Sequence, residues 1–316
     1  MTLNKKIMKA IQYKEYGRSN VIEYVEVPKP LIQGENDILI KVKAAGINPI
    51  DMKIRMGFMK ATRPVEMPFI PGGEASGFIV EVGAKVSKFK VGDEVVALTR
   101  KHAYAEYVLA NEDLVVLKPE SLSFEEAASI SVTIGTAQSV LFTEGKLEKG
   151  QTVLIQGSGG AVGAAMVQMA KASGAYVIAT ASGNGVALAK SLGADEIIDY
   201  KIDDVVDMVN NIDLVADTAG GEAQAKLFQV LKPGGTLLSI VVPPSQELAQ
   251  QYKVRAGFVA SDISAKTLQN GIDLINAGKF RTVVSKTFRL EDAAIAQDFL
   301  SAGGVNGKIV LTMEEN

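Results

Sequence analysis

The chain has 316 residues, with 33 Lys plus Arg against 36 Asp plus Glu, no Cys and one His. A net charge of −3 leaves no basic footprint for nucleic acid or an anionic membrane surface. Zero Cys excludes disulfides and thiol catalysis, and one His leaves a zinc site almost without its usual donors, so no metal is expected.

The first eight residues, Met1 to Met8, carry two lysines but no apolar core. No secretory leader is therefore expected, and the cytoplasm is the expected compartment. No apolar run approaches the ~20 residues that a bilayer span requires. From residue 7 to about 120 the chain reads as glycine-punctuated strands with few helix signals. Ile38-Leu39-Ile40-Lys41-Val42-Lys43-Ala44-Ala45-Gly46 is one strand, and residues 77–83, 93–98 and 104–108 are others. Several strands with turns between them predict a compact β-barrel-type module. His102 follows Arg100-Lys101 in the turn before the strand at 104–108 and reads as a loop histidine. Ser123-Phe124-Glu125-Glu126 is a capping box that opens a helix. Beyond it, strands and helices alternate. Residues 152–156, 176–179, 196–199, 213–217, 235–240 and 254–260 read as strands, and helices start near Asp203, Glu222 and Ser245. That alternation predicts a doubly wound parallel sheet. Residues 283–288 and 307–312 are strands around one helix and return to the first module. The predicted division is residues 1–122 with 263–316, and residues 123–262. A length of 316 residues exceeds the usual size of one core, as two domains require.

The strongest motif lies where the strand Thr152-Val153-Leu154-Ile155-Gln156 opens into Gly157-Ser158-Gly159-Gly160-Ala161-Val162-Gly163 and an apolar helix follows. Strand, glycine turn, helix and second strand make the context that gives such a motif its meaning. Glycines let the backbone approach a pyrophosphate, and the new helix points free N–H groups and its positive end at that charge. Gly157, Gly159, Gly160, Ala161, Val162 and Gly163 are thus the expected cradle of a dinucleotide. A fold of this kind that prefers NAD usually carries Asp or Glu at the end of its second strand, to accept from the ribose 2′-OH. Here no acid occurs from Ala164 through Ala194, and the strand ends in Thr180-Ala181-Ser182-Gly183-Asn184. Neutral donors such as Thr180 and Ser182 tolerate a 2′-phosphate, so the expected cofactor is NADPH. The same Ser182-Gly183-Asn184 run also reads as a helix-capping turn.

These residues resemble a known family over nearly the whole chain. The order of barrel, dinucleotide fold and barrel tail is similar to the medium-chain dehydrogenase/reductase superfamily, and the details resemble its zinc-independent quinone oxidoreductase branch. The segment Asn48-Pro49-Ile50-Asp51 matches the branch's Asn-Pro-x-Asp pattern. Pro71-Gly72-Gly73-Glu74-Ala75-Ser76-Gly77 resembles the segment in which zinc alcohol dehydrogenases carry a His, and Gly73 stands at that place. Asn48 and Pro49 stand where those enzymes have Cys and His. Tyr104-Ala105-Glu106-Tyr107-Val108, Gly193-Ala194-Asp195, Leu231-Lys232-Pro233-Gly234-Gly235 and Gly307-Lys308-Ile309-Val310-Leu311 are further family-like stretches. The resemblance implies an α/β fold with a GroES-like β-barrel-type catalytic domain and a doubly wound Rossmann dinucleotide-binding domain. It also implies that Thr136, Tyr200 and Val241 belong to the cofactor site, and that Asn48 and Lys53 lie at the cleft where the nicotinamide binds. Lys53 stands where several quinone reductases of the branch have Tyr. Lys is typical there of alkenal/enone and chloroplast-envelope quinone reductase-like members.

Without a metal to act as Lewis acid on an alcohol oxygen, quinones and α,β-unsaturated carbonyls are the easier acceptors, because conjugation spreads the incoming negative charge. The protein then needs orientation and one or two donors aimed at the developing oxyanion. Lys53 and Asn48 are the catalytic candidates. The alternative for Lys53 is a solvated surface lysine, for Asn48 a turn-former before Pro49, and for Thr136 a buried helix hydroxyl. Asp51 reads as a holder of local backbone. The expected activity is a zinc-independent, NADPH-dependent reductase of quinones or enones acting on a small molecule. The alternatives are an enoyl-thioester reductase and a crystallin-like cofactor-binding protein with little turnover. Residues 254–260 are apolar and would lie at a sheet edge, where unpaired backbone invites a partner strand, so a homodimer is expected.

Overall fold

The computed structural model describes residues 7–99, 101–261 and 263–313. Residues 1–6, read above for a leader, and Arg100, read in the turn before His102, lie outside the described residues. The chain divides into two units, residues 1–132, 264–266 and 284–316 in the first, and residues 133–263 and 267–283 in the second.

The first unit is built on strands, as its alternating apolar residues dictate. β1 (Ile7–Gln12) and β2 (Glu23–Pro28) form an antiparallel ribbon. β3 (Asp37–Ile47) is the long central strand. The helix α1 (Pro49–Arg55) follows it, and then come β4 (Glu74–Val82), β5 (Glu94–Leu98), β6 (Tyr107–Asn111) and β7 (Val115–Leu117). The capping box opens α2 (Phe124–Ala127), with the Ser123 and Glu126 side chains bonding each other's backbone N–H. The expected strand at 104–108 begins three residues late. The Tyr104 N–H turns to the Pro71 carbonyl, and its side chain is drawn inward as a fully buried group. The helix α1 arises in a stretch where few helix signals were read. Asn48 before it, Pro49 at its first position and Asp51 at its third are a start signal compressed into four residues.

The second unit begins inside α3 (Ser131–Gln138), which runs into a π-helical turn over Ser139–Glu144. Next come β8 (Thr152–Gln156), α4 (Ala161–Ala172), β9 (Tyr176–Ala181), α5 (Asn184–Ser191), β10 (Glu196–Asp199), α6 (Val205–Met208) and β11 (Ile212–Asp217). They are followed by α7 (Ala223–Lys226), β12 (Leu231–Ser239), α8 (Gln246–Tyr252) and β13 (Arg255–Phe258). All six strands pair in parallel in the order β10-β9-β8-β11-β12-β13. This is the doubly wound sheet read from the sequence, with its order reversing beside β8. The helix α9 (Ala265–Asn276) belongs mostly to this unit, because its Gly271 packs against Ile134 and it buries Leu268, Ile272 and Ile275. The division therefore differs from the one read in the sequence by about ten residues at the first crossing and by α9 at the second.

The tail β14 (Val284–Arg289), α10 (Ala293–Ser301) and β15 (Lys308–Thr312) completes the first unit. β15 pairs with β3, closing a seven-stranded sheet in the order β14-β15-β3-β4-β5-β7, with β6 also on β3. Ile38, Ile40, Val42, Ile79, Val95, Ile309 and Leu311 fill its interior. Each such side chain contributes about 1.5–3 kcal/mol when fully buried. The interior thus draws on both ends of the chain.

Candidate active site

In the second unit the glycine turn is stapled to the end of the neighbouring strand. The Gly157 N–H donates to the Thr180 hydroxyl oxygen at 3.3 Å, and the Ser158 N–H and hydroxyl both donate to the Thr180 carbonyl, at 3.1 and 2.9 Å. Gly157 is left-handed, at φ +80°, and a side chain on Gly163 would place its Cβ 2.3 Å from the Gly157 carbonyl oxygen. The glycines thus let the turn fold back onto the first turn of α4. Gly160 is the N-cap of α4 and supplies no side-chain cap. The N–H groups of Ala161, Val162 and Gly163 come before the first ladder bond, from the Ala164 N–H to the Gly160 carbonyl at 2.8 Å. An uncapped helix start behind a glycine turn fits the pyrophosphate of a dinucleotide.

Thr180 is 3% exposed and its hydroxyl holds the turn, so it is placed within the loop's own hydrogen bonds. Ser182 is half-buried and its hydroxyl donates to the Tyr200 hydroxyl at 2.8 Å, bringing together two residues read separately from the sequence. Gly183, at φ +53°, precedes α5, and no side chain of the Ser182-Gly183-Asn184 run caps that helix. The sheet adds one acid that the linear window from Ala164 to Ala194 did not contain. Asp199 ends β10 opposite Ala181 of β9, and its carboxylate accepts the Lys201 N–H at 3.1 Å. Thr136 is buried on α3. The Val241 N–H donates to the Ser239 hydroxyl at 3.2 Å, and the Val241 side chain packs against Gly220. Asp217, which sequence reasoning missed, shapes the adjoining loop. One of its oxygens accepts from the Ala219 and Gly220 N–H groups at 3.0 and 2.8 Å, and the other from the Gln224 amide at 2.8 Å.

The first unit holds a buried polar network around α1. The Asn48 N–H donates to the Asp51 carboxylate at 2.8 Å, and the Tyr104 hydroxyl donates to the same oxygen at 2.7 Å. The Asn48 amide nitrogen donates to Glu74 Oε1 at 2.9 Å. Lys308 Nζ donates to Asn48 Oδ1 at 2.6 Å and to Glu74 Oε1 at 2.5 Å. The other Glu74 oxygen accepts the Val132 N–H at 2.8 Å. Burial pushes the Asp51 carboxyl up to about 6, against the Tyr104 and Asn48 donors, which pull it down. Burial likewise holds the Tyr104 hydroxyl well above its ordinary value. Asp51 thus holds local backbone, as read. Glu74 and Lys308 were not singled out. The available signal was a charge at the first position of a strand, Glu74 in β4 and Lys308 in β15.

Lys53 lies on α1, half-buried, and its ammonium has no hydrogen-bond or ion-pair partner among the described residues. His102 is exposed in its loop at φ +69°, with its ring 5.9 Å from that of Phe69. Among the described residues, no three of His, Cys, Asp and Glu are grouped to hold a metal ion.

Comparison with known proteins gives the chain's relatives. A family model described as an alcohol dehydrogenase GroES-like domain matches residues 34–120, and one described as a zinc-binding dehydrogenase matches residues 192–311. The 2-methylene-furan-3-one reductase of Solanum lycopersicum is 34% identical, over 96% of this chain and 79% of its own. The quinone oxidoreductase of Mus musculus is 31% identical, over 99% of this chain and 100% of its own. The crystal structure of Escherichia coli quinone oxidoreductase complexed with NADPH superimposes with a TM-score of 0.87 at 25% identity, covering 96% of this chain and 99% of that one.

Proposed function

From the premise that the chain belongs to the medium-chain dehydrogenase/reductase superfamily and is an oxidoreductase, we propose that it is a zinc-independent, NADPH-dependent reductase of quinones or α,β-unsaturated carbonyls. The observation that carries the reading is the donor set. A chain with no Cys and a single His, exposed in a loop, keeps a glycine turn and an uncapped helix start fit for a dinucleotide.

When bound, the reduced nicotinamide supplies a hydride, which conjugated acceptors take at carbon while charge moves to oxygen. Gly157, Gly159, Gly160, Ala161, Val162 and Gly163 would hold the pyrophosphate. Ser182 and Tyr200 would face the adenosine ribose and its 2′-phosphate, while Thr136 and Val241 would lie toward the nicotinamide. Lys53 would donate to the acceptor oxygen as it becomes anionic, and Asn48 is the second donor. An ammonium already paired to a carboxylate would be poorly placed for this, which is why Lys53, without a partner among the described residues, supports the assignment. The relatives named as a quinone oxidoreductase and a 2-methylene-furan-3-one reductase support the same substrate class. We further infer a homodimer acting in the cytoplasm.

The test is turnover. NADPH oxidation is measured against 9,10-phenanthrenequinone, a simple enone and crotonyl-CoA, before and after EDTA, with elemental analysis for zinc. Turnover of the quinone or the enone without stoichiometric zinc is expected. Activity confined to crotonyl-CoA, or lost with a tightly bound zinc, overturns the reading.

A further inference from the structure

The orientation of a side-chain amide is normally ambiguous, because its oxygen and nitrogen are alike in shape. Asn48 is an exception. One flank of its amide meets Lys308, whose ammonium has only donors, and the other meets Glu74, whose carboxylate has only acceptors. The oxygen must face Lys308 and the nitrogen must face Glu74. All three side chains are buried, at 4% exposure for Asn48, 4% for Lys308 and 0% for Glu74, so water does not compete for these positions. The oxygen and one N–H are then committed, and the second N–H has no partner among the described residues. The ammonium on the oxygen also polarises the amide and makes that remaining N–H a better donor.

We propose that Lys308 and Glu74 are positioning residues, which together lock Asn48 so that it offers an N–H, and never its carbonyl, to the acceptor oxygen. This rests on the reductase reading and deepens it. A carbonyl turned to that oxygen would repel the charge that forms there, whereas a fixed N–H needs no reorganisation as the charge grows.

Removing Lys308 alone would strand a buried carboxylate and threaten the fold. The informative variant is therefore the neutral pair Lys308→Met with Glu74→Gln, which keeps volume and removes both charges. Its kcat for an enone is expected to fall roughly tenfold, with KM and NADPH affinity near the parent values, while Asn48→Ala falls by about 10²-fold, the scale of losing one such donor. The second readout is binding of 4-nitrophenol to protein saturated with NADP+, followed by the absorbance of its phenolate. The parent is expected to favour the phenolate, and both variants to weaken that preference to what Lys53 alone supplies. A neutral pair that keeps parental kcat, a parent without phenolate preference, or a neutral pair whose preference equals the parent's overturns the proposal. A parent that favours the phenolate but reduces neither quinone nor enone instead refutes the reductase reading alone.

Discussion

Tyr104 stabilises a charge that the interior disfavours. Its hydroxyl donates at 2.7 Å to Asp51, whose carboxyl burial has pushed up to about 6. The folded value lies above that of an unfolded Asp, so the native state takes up a proton as pH falls from about 6 toward 4, and this group's penalty on stability fades across that window. The Tyr104 bond favours the ionised form. Tyr104→Phe should therefore destabilise by about 1–3 kcal/mol at pH 8, the scale of a bond to a charged group. It should destabilise clearly less at pH 5, where Asp51 is protonated in both proteins. Denaturant midpoints at the two pH values check this, and an equal loss at both would remove the charge argument. Lys53→Met keeps length and removes the ammonium. It should lower kcat for an enone by roughly 10²-fold and leave NADPH binding nearly unchanged. Parental turnover would make Lys53 a surface residue. Asn48 entered as a candidate from the Asn-Pro-x-Asp pattern, and Lys53 from the family resemblance. Glu74 and Lys308 were not, because each meets Asn48 only after strands far apart in the chain come together, Lys308 from 260 residues away.

Among the elements, the glycine turn and α4 were the most legible, since strand, turn and helix are local and continuous in sequence. The strand expected at 104–108 slipped to Tyr107–Asn111 because Tyr104 answers to Pro71 and Asp51, partners that no local pattern reveals. Seven-residue α1 is too short for periodicity to declare it. The turn itself yields a paired prediction. A Cβ on Gly163 would lie 2.3 Å from the Gly157 carbonyl oxygen, so Gly163→Ala must open the turn. It should weaken NADPH binding at least about tenfold and cost about 1–3 kcal/mol, as overpacking does. A Cβ on Gly160 meets nothing nearer than 3.6 Å, so Gly160→Ala should leave the melting temperature unchanged. Fluorescence titration and calorimetry separate the two, and a Gly163→Ala protein that binds like the parent would show the close approach to be dispensable. The end of β9 yields another. NADPH should be preferred over NADH by about 1–2 kcal/mol, the order of one hydrogen bond to a charged group, because Ser182 and Tyr200 are neutral. Asp199 at the end of β10 opposes any larger preference. Ser182→Asp should shift preference toward NADH, and a parent kcat/KM favouring NADH would reject the assignment.

At the scale of the molecule, the division into a strand-built unit and a doubly wound unit was legible from where alternation of helix and strand begins. Its seams were not, because α3 starts in one unit and ends in the other, and α9 is placed by its packing on Ile134 rather than by composition. The sheet of the second unit ends on β13, which pairs with β12 and with no other strand among the described residues. Its sequence, Arg255-Ala256-Gly257-Phe258, has one charge at its start, no Pro and a Phe that is 49% exposed. Such an edge lacks the devices that usually blunt strand addition. A second copy related by a twofold axis would pair β13 with its own twin and bury both edges at once, which a self-complementary contact allows. Light scattering at micromolar concentration should therefore return twice the 33.5 kDa of one chain. Phe258→Lys places a charge on the edge and should shift the protein toward monomer, with the far-UV spectrum of the parent retained. A monomeric parent would remove the idea, and a Phe258→Lys protein as dimeric as the parent would move the contact to another face.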